Sequence, residues 1–170
     1  GKRTYIYKLQ NLKKIIGIID EDMISVNEKA IKSQCGCKVF LFYSPYVLKN
    51  QSDFLIKLGK AIGEKKKTLI IDIDEFSNYK GGLGLSNLIF AYKENELNEN
   101  TIKREVIQVE NIDVIKSVTY PEDLNIINNI DLANIINEIK KIGYDFIFVN
   151  ADQSYIKCQY ILNDADKFIV

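Results

Sequence analysis

A chain of 170 residues, 46% hydrophobic and with a mean hydropathy of −0.10, has the size of one globular domain and enough apolar content to bury a core. Lysine plus arginine and aspartate plus glutamate each number 23, which excludes the basic excess of a general nucleic-acid binder, although Lys65-Lys66-Lys67 is a local basic patch. No apolar run reaches the ~18 residues of a membrane helix, and Cys35, Cys37 and Cys158 without any histidine read as ordinary thiols of a reducing compartment, because Cys35-Gly36-Cys37 supplies half of a structural zinc site at most.

The chain opens on Gly1, which reads as a tag remnant. Thr4–Tyr7 predicts a short strand, and Leu12, Ile15, Ile16 and Ile19 recur at helical spacing. Val39–Tyr43 is apolar on both faces, as a strand in the middle of a sheet must be. Ser52 is placed to cap a helix that buries Phe54, Leu55, Leu58, Ala61 and Ile62. A polar turn over 63–67 leads into a second two-sided strand, Thr68–Ile73.

The loop from Glu75 to Gly84 ends in Gly81-Gly82-Leu83-Gly84, which reads as a solvent-exposed turn or a flexible loop near a contact face. Leu85–Tyr92 predicts a helix, 93–105 a charged helix–loop insertion, and Ile112–Val118 a short strand. Tyr120-Pro121-Glu122-Asp123 reads as a turn. Asp131–Ile142 predicts a helix capped by Asn129 or Asp131, with Ile135, Ile136 and Ile139 inward and Gly143 as its stop. Tyr144–Val149 is the third strong strand, Ser154–Leu162 a helix, and Lys167–Val170 the start of another strand, so the domain reads as truncated at its C-terminus or completed from elsewhere. Alternating strands and helices give an α/β fold with a mainly parallel sheet flanked by helices.

Ligands of an open parallel sheet bind beyond the carboxyl ends of its strands, which directs attention to three loops. Strand, loop, helix and a second strand ending in Asp-x-Asp form the opening unit of a nucleotide-binding domain, whose first loop should be glycine-rich and carry Gly-Lys-Ser/Thr. Here that loop reads Tyr46-Val47-Leu48-Lys49-Asn50-Gln51-Ser52. Side chains at Tyr46, Val47 and Leu48 would crowd a phosphate, Gln51 stands uncharged where the lysine belongs, and Ser52 could still ligate magnesium. The plainer reading is a strand-to-helix turn with Ser52 as its N-cap. Asp72 and Asp74, the catalytic candidates, either hold a metal-bound water or serve locally, Asp74 capping the turn and Asp72 pairing with backbone. In the third loop the strand ends in neutral Asn150, a poor magnesium ligand; Asp152 could substitute, or Asn150 could be structural.

Lys38–Asp74, Gly84–Tyr92 and Gly143–Val170 together resemble the MinD/ParA family of P-loop ATPases in a divergent branch, a likeness covering most of 38–170. Tyr43-Ser44-Pro45 and Glu75-Phe76 look most like the TadZ/CpaE-like subgroup of Firmicutes. That resemblance implies a P-loop NTPase-like domain over 35–170, preceded at 1–34 by a strand–helix segment, either the tail of a receiver-like domain or a lead-in helix. It implies ATP and magnesium as cofactors, with Asn50, Gln51 and Ser52 at the nucleotide, Ser52 and Asp152 at the metal, and Asp72 and Asp74 positioning water and switch. The missing glycines and lysine and the neutral Asn150 put hydrolysis in doubt. The expected function is an inactive or non-canonical ATPase-like scaffold that localises a pilus or secretion assembly. It would be cytoplasmic and homodimeric, reach the membrane or cell pole only through protein partners, and bind no nucleic acid. The alternative is a weakly active ATPase that dimerises on nucleotide.

Overall fold

Two-sided apolar runs become central strands because helices cover both faces of a parallel sheet. The computed structural model describes residues 5–6, 17, 36–43, 50–73, 82–151, 161 and 165–169. The elements in chain order are β1 (Tyr5–Ile6), β2 (Lys38–Tyr43), α1 (Asn50–Gly63), β3 (Thr68–Asp72), α2 (Leu85–Lys93), α3 (Glu99–Glu105), β4 (Val106–Val109), β5 (Ile112–Ile115), a 3-10 turn (Pro121–Asn125), α4 (Asn129–Lys140), β6 (Phe146–Ala151) and β7 (Lys167–Ile169). They build one seven-stranded sheet in the order β1-β7-β2-β6-β3-β5-β4. Every pairing is parallel except β4 with β5.

The pleat sorts the core into two layers. Phe40, Phe42, Ile70, Val114, Phe146 and Phe148 face α1 and meet its Leu55, Leu58 and Ile62. Val39, Leu41, Leu69, Ile71, Ile147 and Val149 face the other way, toward α2, α3 and α4. Buried Gly59 lets α1 lie against β5, since a Cβ there would stand 2.9 Å from Ile112 Cδ1.

Several expectations need correction. Helix α1 begins at Asn50, so Ser52 lies inside its first turn and is not the cap, and Ala61 is exposed while Phe54 is half-buried. The charged stretch after residue 93 ends in an unforeseen antiparallel edge strand, β4. Asn128, not Asn129 or Asp131, caps α4: its side chain accepts from Ile130 N and Asp131 N, and Asp131 accepts from Asn128 N at 3.1 Å, a reciprocal capping box. The expected helices at 12–19 and 154–162 fall outside the described residues, except that Gly17 and Ile161 are helical.

Candidate functional site at the strand ends

Period-two alternation fixes which strand-end side chains meet. Asp72 follows Ile70 by two residues and Asn150 follows Phe148 by two, so both belong to the α1 face of the sheet. They stand opposite each other in the β3–β6 register, and Phe42 lies opposite Asn150 on the other side. The first turn of α1 brings Gln51 over the same point.

The result is a buried polar chain. Gln51 Nε2 donates to Asn150 Oδ1 at 2.5 Å, and Asn150 Nδ2 donates to Asp72 Oδ1 at 2.8 Å. Longer contacts of 3.4 and 3.5 Å run from Gln51 Nε2 to the carbonyls of Phe42 and Ala151. Gln51, Asp72 and Asn150 are each at most 5% exposed. The direction of the chain is set from one end: Asp72 as a carboxylate only accepts, so Asn150 turns its amide nitrogen to it and its oxygen to Gln51, which must then donate.

Ser52 is also buried, in the first turn of α1. Its hydroxyl and the Asp72 carboxylate are hard oxygen donors of the kind magnesium takes. Asn50 starts α1, with its side chain outside the described residues, and Tyr46, Val47, Leu48, Asp74 and Asp152 lie outside them as well. The structure therefore brings together Gln51, Asp72 and Asn150, and places Ser52 next to Gln51 in the buried first turn of α1. Among the described residues no cluster of three or more Cys, Asp or Glu forms a metal site.

A second polar centre carries no sequence signal. Glu105, the last residue of α3, is buried and accepts from Leu83 N at 3.2 Å, Gly84 N at 3.0 Å and Asn87 Nδ2 at 2.6 Å. It pins the entry to α2, where Gly84 has φ 59 and is buried. The glycine-rich stretch up to Gly84 is accordingly not an exposed turn at its last residue; the packing of Lys116 against it explains why glycine is needed, since a Cβ on Gly84 would sit 2.5 Å from the Lys116 carbonyl oxygen.

The fold is α/β, one mainly parallel seven-stranded sheet covered by helices on both faces. Solved ParA-family structures share that fold. The chain is similar to a ParA family ATPase from Chlorobium tepidum, with a TM-score of 0.63 and 19% identity over 78% of this chain and 59% of that one. A plasmid partition protein from Borrelia burgdorferi gives 0.59 and 18%, covering 78% of this chain and 64% of its own. A second Borrelia burgdorferi partition protein, bound to AMPPNP, gives 0.54 and 18%, covering 78% and 60%. The chain thus spans less than two thirds of the length of these relatives. No protein-family model matches the sequence, and no curated protein is significantly similar to it. No helix among the described residues is long and apolar enough to cross a membrane.

Proposed function

We propose that this chain is a scaffold on the ParA/MinD fold that keeps the nucleotide-site architecture without its charges, and that it positions a pilus or secretion assembly through protein contacts, as a homodimer. The observation that carries this reading is the hydrogen bond from Gln51 to Asn150. By the family resemblance, these two positions belong to the lysine that neutralises phosphate and the aspartate that serves magnesium. Here each is an amide: Gln51 donates to Asn150, and Asn150 donates to Asp72. An amide cannot replace the charge that stabilises a transferring phosphoryl group, and a donor already bonded inside the fold is not offered to a ligand. The pilus assignment rests on Tyr43-Ser44-Pro45 and Glu75-Phe76.

The alternative, a weakly active ATPase that dimerises on ATP and magnesium, draws on buried Ser52 and Asp72, which keep the two oxygen donors a magnesium site would use.

Isothermal titration of ATP and ADP with magnesium separates the two. The scaffold reading expects no heat of binding at micromolar nucleotide, and micromolar affinity overturns it. Gln51→Lys with Asn150→Asp restores both charges; gain of ATP binding by that variant alone shows that the amide pair is what shuts the site.

A further inference from the structure

Leu83, Phe90, Tyr120, Ile126 and Ile130 are the large hydrophobic side chains left exposed among the described residues, at 42% to 65%. Hydrogen bonds join the segments that carry Phe90, Tyr120 and Ile130 along one seam. Ser86, Phe90 and Lys93 recur at i, i+4 and i+7 on α2 and share a face. At one end of that face, Ser86 Oγ donates to Asp123 Oδ2 at 2.6 Å and accepts from Thr119 N at 2.7 Å, beside Tyr120. At the other end, Lys93 Nζ donates to Asp131 Oδ2 at 2.6 Å, beside Ile130. Phe90 lies between these anchors on α2, and Tyr120 and Ile130 adjoin them in sequence. Single exposed hydrophobics are ordinary on a protein surface, whereas a row of them along one junction marks an interaction site.

The charge beside the row is one-sided. Residues 119–131 carry Glu122, Asp123 and Asp131 and neither lysine nor arginine, although the whole chain is neutral. Lys93 compensates Asp131, which leaves Glu122, exposed, and Asp123, half-buried, as the acidic flank.

We propose that the seam between α2 and α4 is a docking surface for a basic amphipathic helix of a partner protein. The apolar row receives the helix's apolar stripe, and Glu122 and Asp123 face its lysines or arginines. An anionic membrane would be repelled by the same carboxylates, and two copies meeting seam to seam would oppose acid with acid. The surface deepens the scaffold reading by giving the scaffold a partner chemistry, and it is tested without nucleotide, so the failure of either is distinguishable from that of the other.

The test titrates the isotopically labelled chain with a designed helical peptide that has a leucine stripe and lysine flanks, and with the same peptide carrying glutamate flanks. The lysine peptide should bind saturably, with amide shifts confined to 83–93 and 119–131. Phe90→Asp should weaken it about tenfold or more, roughly the loss of one buried aromatic anchor. Glu122→Lys should weaken the lysine peptide and favour the glutamate one. Both substitutions are at exposed positions, and an unchanged melting curve confirms that each variant is folded. Equal binding of both peptides, shifts spread over the molecule, co-sedimentation with phosphatidylserine vesicles lost in Phe90→Asp, or self-association lost in Phe90→Asp would each overturn the proposal.

Discussion

Asn150 stands directly across from Asp72 in the parallel β3–β6 register and donates its Nδ2 to Asp72 Oδ1 at 2.8 Å. Replacing that amide by a carboxylate would place two acids side by side where both are almost fully buried. Asn150→Asp should therefore lose about 3 kcal/mol of stability at pH 7, because one buried carboxyl must ionise against the other or stay protonated at a cost. The introduced acid has a folded pKa above its unfolded one, so its penalty is full well above neutral and shrinks as pH falls toward the unfolded value. Urea unfolding at pH 7 and pH 4.5 checks this; an equal penalty at both would show that the pair is not coupled.

Gln51→Met keeps the length of the side chain and removes its donor. Asn150 Oδ1 then loses its 2.5 Å partner in a buried site, which should cost about 1–3 kcal/mol. In a double-mutant cycle with Asn150→Ala the two losses should be markedly less than additive. Strict additivity would mean that the bond contributes nothing.

Among the described glycines, Gly84 leaves the least room for a side chain. Its φ is 59, and an added Cβ would stand 2.4 Å from Lys116 Cγ and 2.5 Å from the Lys116 carbonyl oxygen. Gly84→Ala should cost more than about 2 kcal/mol. Gly143 has φ 93 with nothing within 4 Å of a Cβ, so Gly143→Ala carries backbone strain alone, about 1 kcal/mol. The two urea midpoints give the comparison.

Glu105→Ala would strand the N–H groups of Leu83 and Gly84 and the Asn87 amide. The expected loss is about 2–3 kcal/mol, with hydrogen exchange accelerated first at Leu83 and Gly84 and last in β6.

The Lys93 ammonium, which hydrogen-bonds Asp131 at 2.6 Å, holds its carboxyl below the ordinary aspartate value. A depressed folded pKa stabilises above the unfolded value of about 4 and loses that contribution as pH falls through the folded value. Asp131→Asn should thus be less stable than the parent at pH 7, by a few tenths of a kcal/mol for so solvent-accessible a pair, and the gap should close near pH 2. Thermal melts across that range test it.

The three central strands were legible because β2, β3 and β6 must be apolar on both faces, and no helix of that length could be. The members of the strand-end site were legible singly: Gln51, Asp72 and Asn150 each end or follow such a strand. What the sequence does not reveal is that Gln51 and Asn150 answer each other, since they are 99 residues apart and glutamine carries no motif of its own here. Edge strand β4 was hidden for a different reason. Its four residues follow directly on the charged helix α3, and only pairing with β5 makes them a strand. Glu105 was invisible because a charged residue at the end of a polar helix ordinarily faces water.

The strand order carries a consequence for how the chain assembles. Strands β2 and β3 follow each other in sequence but never touch, because β6 lies between them and arrives 78 residues after Asp72. During synthesis β3 can pair with β5, but β2, whose neighbours in the sheet are β6 and β7, meets neither until β6 has left the ribosome. Joining β2 to the rest of the sheet therefore depends on a contact of high sequence separation, which slows folding and leaves that apolar strand in need of shelter while it waits.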